Sequence, residues 1–122
     1  MYETINTQSI AIYLRQNIEA KLSPEYNTLI QYADAMGVSA KKLQRLLSQE
    51  GTSFSNILNA YRAEKTMELL GETSLPMRAI AFKLGYSSGE AFNTACKRWY
   101  NQSPRKLRQS LNRLNNARTH NN

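Results

Sequence analysis

With a single cysteine, Cys96, the 122-residue chain can form no internal disulfide and offers no cysteine-rich zinc site. Its one histidine, His120, stands in a polar tail with no ligand set around it. A Ser/His/Asp constellation, a carboxylate pair poised for acid–base work and a phosphate-cradling glycine loop are all missing. The reading is therefore a protein that is not an enzyme, with no cofactor and no metal. No run of 18 apolar residues occurs, so no segment reads as a membrane span. The opening MYETINTQSIAIYLRQ lacks a basic stretch leading into an apolar one and does not read as a signal peptide. These absences fit a cytoplasmic protein. The last thing missing is acid. Residues 1–90 balance nine Lys and Arg against nine Asp and Glu, and nothing after Glu90 is acidic. Lys97, Arg98, Arg105, Lys106, Arg108, Arg113 and Arg118 thus carry the whole net charge of +7. Such an end is the electrostatic footprint of a polyanion partner. On charge alone, a solvated helix face with a basic tail explains it equally.

What is present is helix. No segment alternates with period two for long enough to be a strand, and apolar residues recur at helical spacing throughout. A first helix is predicted over Ile5 to Leu22, capped by Thr7 or Ser9 and stopped by Ser23-Pro24. A second runs from Thr28 to Met36, with Asn27 or Thr28 as cap and Gly37 as stop. Ser39 caps a third, Ala40 to about Gln49, with Leu43, Leu46 and Leu47 inward and Lys41, Lys42, Gln44 and Arg45 outward. The longest helix, Ser53 to Leu70, carries Phe54, Ile57, Leu58, Tyr61, Met67, Leu69 and Leu70 as its stripe, and Gly71 is expected to end it. Pro76 suits the first turn of a fifth helix that stops at Gly85. Ser87 or Ser88 caps a sixth, running to about Tyr100, with Phe92, Cys96 and Trp99 as its buried side. Asn101, Ser103 and Pro104 stop it and start a seventh with Leu107, Leu111 and Leu114 as stripe. Arg118 to Asn122 are expected to be disordered.

The second and third helices share a pattern with the fifth and sixth. LIQYADAMGVS, Leu29 to Ser39, aligns with MRAIAFKLGYS, Met77 to Ser87, at a constant offset of 48 residues. Seven of the eleven positions pair apolar with apolar or match outright, among them Ala33/Ala81, Gly37/Gly85 and Ser39/Ser87. A helix, a glycine stop, an apolar residue and a capping serine make a helix-turn-helix. Two of them suit a ligand with a repeating surface, and duplex DNA is such a ligand. The predicted fold class is all-α: seven helices, in two helix-turn-helix lobes (about 28–49 and 76–99) joined by the long helix over about 53–70. Eighteen residues of linker span roughly 27 Å, a scale suited to successive major-groove segments roughly 34 Å apart.

Three stretches carry a family resemblance: YADAMGVSAKKLQRLL, GTSFSNILNAYRAEKTMELL and IAFKLGYSSGEAFNTACKRWYNQSPRKLR. From about Thr7 to Ser110 the chain resembles the DNA-binding domain of the AraC/XylS family of bacterial transcription regulators. The most specific part is IA-x3-GY-S, a Phe five residues on, then K-R-x-Y-x2-SP-x3-R. The middle stretch matches less well, with Thr66 where alanine is common. The resemblance implies sequence-specific binding of double-stranded DNA at a promoter or operator. It further implies activation through contact with RNA polymerase. It leaves open whether the chain is a stand-alone regulator or the C-terminal domain of a longer one. A monomer on an asymmetric site is the expectation, because two lobes in one chain remove the need for a symmetric dimer. The domain assignment is 7–110 for the DNA-binding domain and 111–122 for a basic, partly disordered extension.

On the third helix the positions that match the family's base-facing ones are Lys41, Gln44 and Arg45, with Lys42 beside them. The chemistry agrees: arginine can grip guanine with two bonds and glutamine can pair with adenine. Arg45 would equally suit a phosphate. On the sixth helix the matching outward positions are Ser88, Gly89, Glu90, Asn93 and Thr94. Many family members carry glutamine near position 89 and arginine at 94, so this copy has less to read with. Glu90 could accept from cytosine, and Asn93 and Thr94 could make short contacts. Phosphate contacts are assigned to Lys97, Arg98, Arg105 and Lys106, and to the helix starts at Ser53, Ser88 and Ser103, where backbone N–H groups favour anions. Two other readings remain open at this point: a weakly specific structural nucleic-acid-binding protein, and a helical interaction module using the Leu107 to Leu114 stripe.

Overall fold

Among the described residues, side-chain oxygens start every helix but one. The computed structural model describes residues 9–120, with side chains through Ala117. Helix α1 (Ile10–Lys21) begins at Ser9, whose Oγ accepts from the Ile12 amide at 3.0 Å. Thr7 and the predicted first turn from Ile5 lie outside the described residues. Thr28 opens α2 (Leu29–Ala35) with a full capping box to Gln31. Ser39 caps α3 (Ala40–Gln49) through the Lys42 amide. Ser53 caps α4 (Phe54–Glu72) through Asn56. Pro76 precedes α5 (Met77–Lys83) rather than occupying its first turn. Ser88, not Ser87, caps α6 (Gly89–Tyr100), and Ser103 caps α7 (Pro104–His120). Each such cap is worth about 1 kcal/mol. One further cap comes from far along the chain. Glu50, the residue that closes α3, accepts from the Ile10 amide at 2.8 Å and the Ala11 amide at 3.1 Å. A carboxylate there also opposes the positive end of the α1 dipole.

The chain divides into two compact units, with the boundary inside α4 between Arg62 and Ala63. In the first, α1, α2, α3 and the start of α4 bury Leu14, Ile18, Tyr32, Ala33, Leu43, Leu47, Leu58 and Tyr61. Leu46 is only half-buried. The α2–α3 turn is closed by Gly37 at φ 76°, with the Val38 amide donating to the Ala33 carbonyl at 3.0 Å and Gly37 to Asp34 at 3.1 Å. That pair of bonds is a Schellman closure, and it needs the left-handed backbone glycine adopts freely.

Tyr32 is fully buried and donates its hydroxyl to the Tyr26 carbonyl at 3.1 Å. Burial, followed by the neighbouring Tyr26, pushes that hydroxyl up from 10.0 to about 12. Between those values the unfolded chain releases a proton that the folded chain keeps. This part of the stability is therefore complete below pH 10, and about 2 kcal/mol of it should be gone by pH 12. An alkaline denaturant series should show a shallower loss over that window for Tyr32→Phe. An identical slope for the two proteins would refute the assignment.

In the second unit the end of α4 with α5, α6 and α7 buries Leu69, Leu70, Ile80, Ala81, Leu84, Phe92, Cys96 and Leu107. The α5–α6 turn repeats the first closure. Gly85 has φ 85°, Tyr86 donates to Ala81 at 2.9 Å, and Gly85 donates to Phe82 at 3.0 Å. Asn101, at φ 60°, ends α6 as expected.

Four expectations need correcting. Gly71 does not stop α4. The helix runs on to Glu72, and Leu111 of α7 packs beside Gly71, its Cδ1 3.5 Å from where a Cβ would stand. Trp99 is not part of the buried side of α6. It is half-buried, while Phe92, Ala95 and Cys96 face inward and Tyr100 packs on the core, its hydroxyl bonded to the Ala63 carbonyl. Leu114 is 60% exposed, so the α7 stripe ends at Leu111. Residues 118–120 belong to α7 rather than to a disordered tail, while 121 and 122 lie outside the described residues, as does the side chain of His120.

Candidate nucleic-acid interface

The two turns differ by one residue between the glycine and the cap. Gly37-Val-Ser becomes Gly85-Tyr-Ser-Ser, and the second serine is the one that caps. Once Ser39 is matched to Ser88, the following helices keep one offset of 49. Leu43 and Leu47 correspond to Phe92 and Cys96, all four buried. Opposite them, α3 presents Lys41, Gln44, Arg45 and Ser48, all exposed. This i, i+3, i+4, i+7 set shares one face of the helix. Lys42 is exposed beside it. On α6 the same places hold Glu90, Asn93, Thr94 and Lys97, of which only Asn93 is half-buried. The faces match in geometry and differ in chemistry. The first has two cationic side chains, a glutamine and a serine, with Lys42 adding a third cation beside them. The second has an acid, two short polar groups and a lysine.

A second equivalence lies where each of these helices meets the next. The end of α3 and the start of α4 form a cavity of ≈ 380 Å³ lined by Leu29, Gln44, Ser48, Thr52, Ser53, Phe54 and Ser55. The end of α6 and the start of α7 form one of ≈ 450 Å³ lined by Lys97, Asn101, Gln102, Ser103 and Lys106. Ser53 and Ser103 hold corresponding places, each at the positive end of a helix dipole. The first cavity is rich in hydroxyls and carries no charge, whereas the second has two lysines. A third cavity, ≈ 300 Å³, opens in front of α6. It is lined by Arg78, Ala81, Phe82, Tyr86, Ser87, Ser88 and Gly89, and nothing stands within 4 Å of where a Gly89 side chain would begin. Sequence reading missed Arg78, because at the repeat offset it pairs with Ile30, an apolar residue.

Not all of the basic end is available to a partner. Arg105 and Lys106 are exposed, and Arg98 is exposed with its guanidinium over the Trp99 ring at 5.7 Å. Arg108, counted with them from the sequence, is half-buried and gives its guanidinium to three backbone carbonyls of this unit. Burial pushes the Cys96 thiol up to about 11, so it stays protonated and unreactive at neutral pH.

A family model described as a helix-turn-helix domain matches residues 32–110, from inside α2 into α7 and across both turns. The solved C-terminal domain of AraT, a response regulator from Geobacillus stearothermophilus, superposes with a TM-score of 0.74 at 36% identity, over 84% of this chain and 86% of that one. This chain belongs to the AraC/XylS family. A Chromobacterium violaceum regulator described by its AraC-type DNA-binding domain gives a TM-score of 0.71 at 28% identity, covering 87% of this chain and 95% of that one. Among curated proteins, the HTH-type transcriptional regulator VqsM of Pseudomonas aeruginosa is 33% identical over 101 residues, 80% of this chain. The transcriptional activator RhaS of Escherichia coli is 35% identical over 63% of the chain. The AraC/XylS chain described here spans 31% of VqsM and 28% of RhaS. Its activity is that of the family's domain, sequence-specific binding of DNA in transcription regulation. Among the described residues no helix is long and apolar enough to cross a membrane.

Proposed function

We propose that the two lobes divide the work on duplex DNA, the first reading sequence and the second anchoring the backbone. The observation that carries this reading is the matched pair of faces. At equal helical register Lys41, Gln44 and Arg45 correspond to Glu90, Asn93 and Thr94. Arg45 and Gln44 have the reach and donor geometry for guanine and adenine edges, with Lys41 and Lys42 beside them. Glu90, Asn93 and Thr94 offer one acceptor and two short contacts. Lys97 and Lys106 line the cavity at Ser103, and Arg98 and Arg105 flank it in sequence, a set suited to phosphates. The starts of α4, α6 and α7 at Ser53, Ser88 and Ser103 add backbone N–H groups. The partner is a promoter or operator, bound by α3 and α6 in successive major-groove segments. The chain binds it as a monomer and acts as an activator in contact with RNA polymerase. The likeness to RhaS supports the activator reading.

Selection of bound duplexes from a random pool tests this directly. The recovered site should be asymmetric, with most information in the half facing α3. Replacing Gln44 and Arg45 by alanine should lower discrimination by about 1–3 kcal/mol per lost bidentate pair. Replacing Asn93 and Thr94 should change it less. A larger change from the second pair would reverse the division of labour. Retention of the selected duplex against random competitor should exceed roughly a thousandfold, which a weakly specific coating protein would not reach.

A further inference from the structure

We propose that Arg108 is a positioning residue of the second lobe, which holds the α5–α6 pair for DNA without touching the nucleic acid. This rests on the reading that the second lobe anchors the complex. Three guanidinium nitrogens of Arg108 each donate to a backbone carbonyl: Nε to Leu70 at 3.1 Å, one terminal nitrogen to Leu75 at 2.7 Å, and the other to Leu69 at 3.2 Å. Leu69 and Leu70 belong to the last turn of α4, where carbonyls at a helix C-terminus call for donors from outside the helix. Leu75 lies in the connection that leads through Pro76 into α5. One side chain on α7 therefore fastens the end of α4 to the start of the second helix-turn-helix. Thr73 closes the same connection from within, its hydroxyl donating to Leu69 and accepting from the Leu75 amide. Asn115 adds a bond to the Gly71 carbonyl. A positive charge at a helix C-terminus is stabilising in its own right. The rigid planar fork of arginine spreads its donors over three nitrogens and so reaches three separated carbonyls, whereas the three N–H donors of lysine sit on one nitrogen.

A phosphate contact and a strut respond differently to conservative replacement. The test measures binding of the selected duplex over a salt series for the wild type, R108K, R108Q and, as the contrasting exposed residue on the same helix, R105Q. If Arg108 is a strut, R108K and R108Q both bind more weakly, on the order of tenfold, with the salt slope of the wild type. R105Q instead flattens the slope by about 0.9, one phosphate contact. R108K that restores binding, together with R108Q that flattens the slope, would overturn the proposal, as would wild-type affinity in both variants. Because either variant could fold poorly, a second measurement uses the unaltered chain. The Arg108 Nε–H proton should exchange slowly with solvent in the free protein and keep its NMR shift when duplex is added. Fast exchange, or a shift on binding, would count against the strut. A wild type that binds no duplex at all would sink the DNA reading and this inference together. Failure of the strut alone shows itself in a wild type that binds.

Discussion

Phe92→Ala should cost the second unit about 3–5 kcal/mol, the range for emptying a buried phenylalanine site. Phe92 is fully buried, sits among Leu70, Ile80, Leu84 and Cys96, and has the Tyr86 ring at 6.3 Å. Two features make collapse around the cavity difficult. Tyr86 is held by the Schellman bond to Ala81, and the start of α6 is held by Ser88. Natural domains are stable by only about 5–15 kcal/mol, so the loss takes a large share. Urea unfolding followed by hydrogen exchange at α5 and α6 amides should show it. The matching change in the first unit, Leu43→Ala, should cost less, about 2–5 kcal/mol. A Phe92→Ala cost under 1 kcal/mol would mean that α6 is not held through this contact.

The second large effect is expected in binding rather than folding. Lys97 and Lys106 line one cavity beside Ser103. Replacing both by alanine should lower the salt slope by about 1.8, which at 0.1 M salt corresponds to roughly 60-fold weaker binding. Because phosphate contacts carry no sequence information directly, the loss should be the same for the selected and for random duplex. Both side chains are exposed, so melting should hardly move. A change in which duplex is preferred would show that the second lobe reads bases through these lysines and would undo the proposed division between lobes.

The parts of the fold that were legible in the chain are those decided within a few residues. Gly37 and Gly85 stop their helices by a conformation that is local to the turn, and Ser39, Ser53 and Ser103 cap through amides three residues on. Asn101 stops α6 in the same left-handed conformation as the glycines, at φ 60°. The misreadings arise where a distant segment decides. Gly71 looks like a stop, but α4 continues because Arg108, Asn115 and Leu111 of α7 receive its last carbonyls and fill the space beside it. The inward face of the last turn of α6 lies one residue on from where the stripe puts it. The apolar stripe Phe92, Cys96, Trp99 fits a helix, yet Tyr100 has the hydroxyl that reaches the Ala63 carbonyl and takes the inward place. The cap register of α6 was likewise open between Ser87 and Ser88 until the Ala91 amide chose. For the candidate interface, the outward faces of α3 and α6 followed from periodicity. Arg108 was counted as a surface charge because no spacing rule links it to carbonyls 33 to 39 residues earlier.

Glu50 joins two places that are far apart in the chain, the first turn of α1 and the end of α3. A pull on the polypeptide at Ser9 that unwound the first turn of α1 would break both bonds to the residue that closes α3. The first turn of α1 and the helix proposed to read sequence thus share one latch.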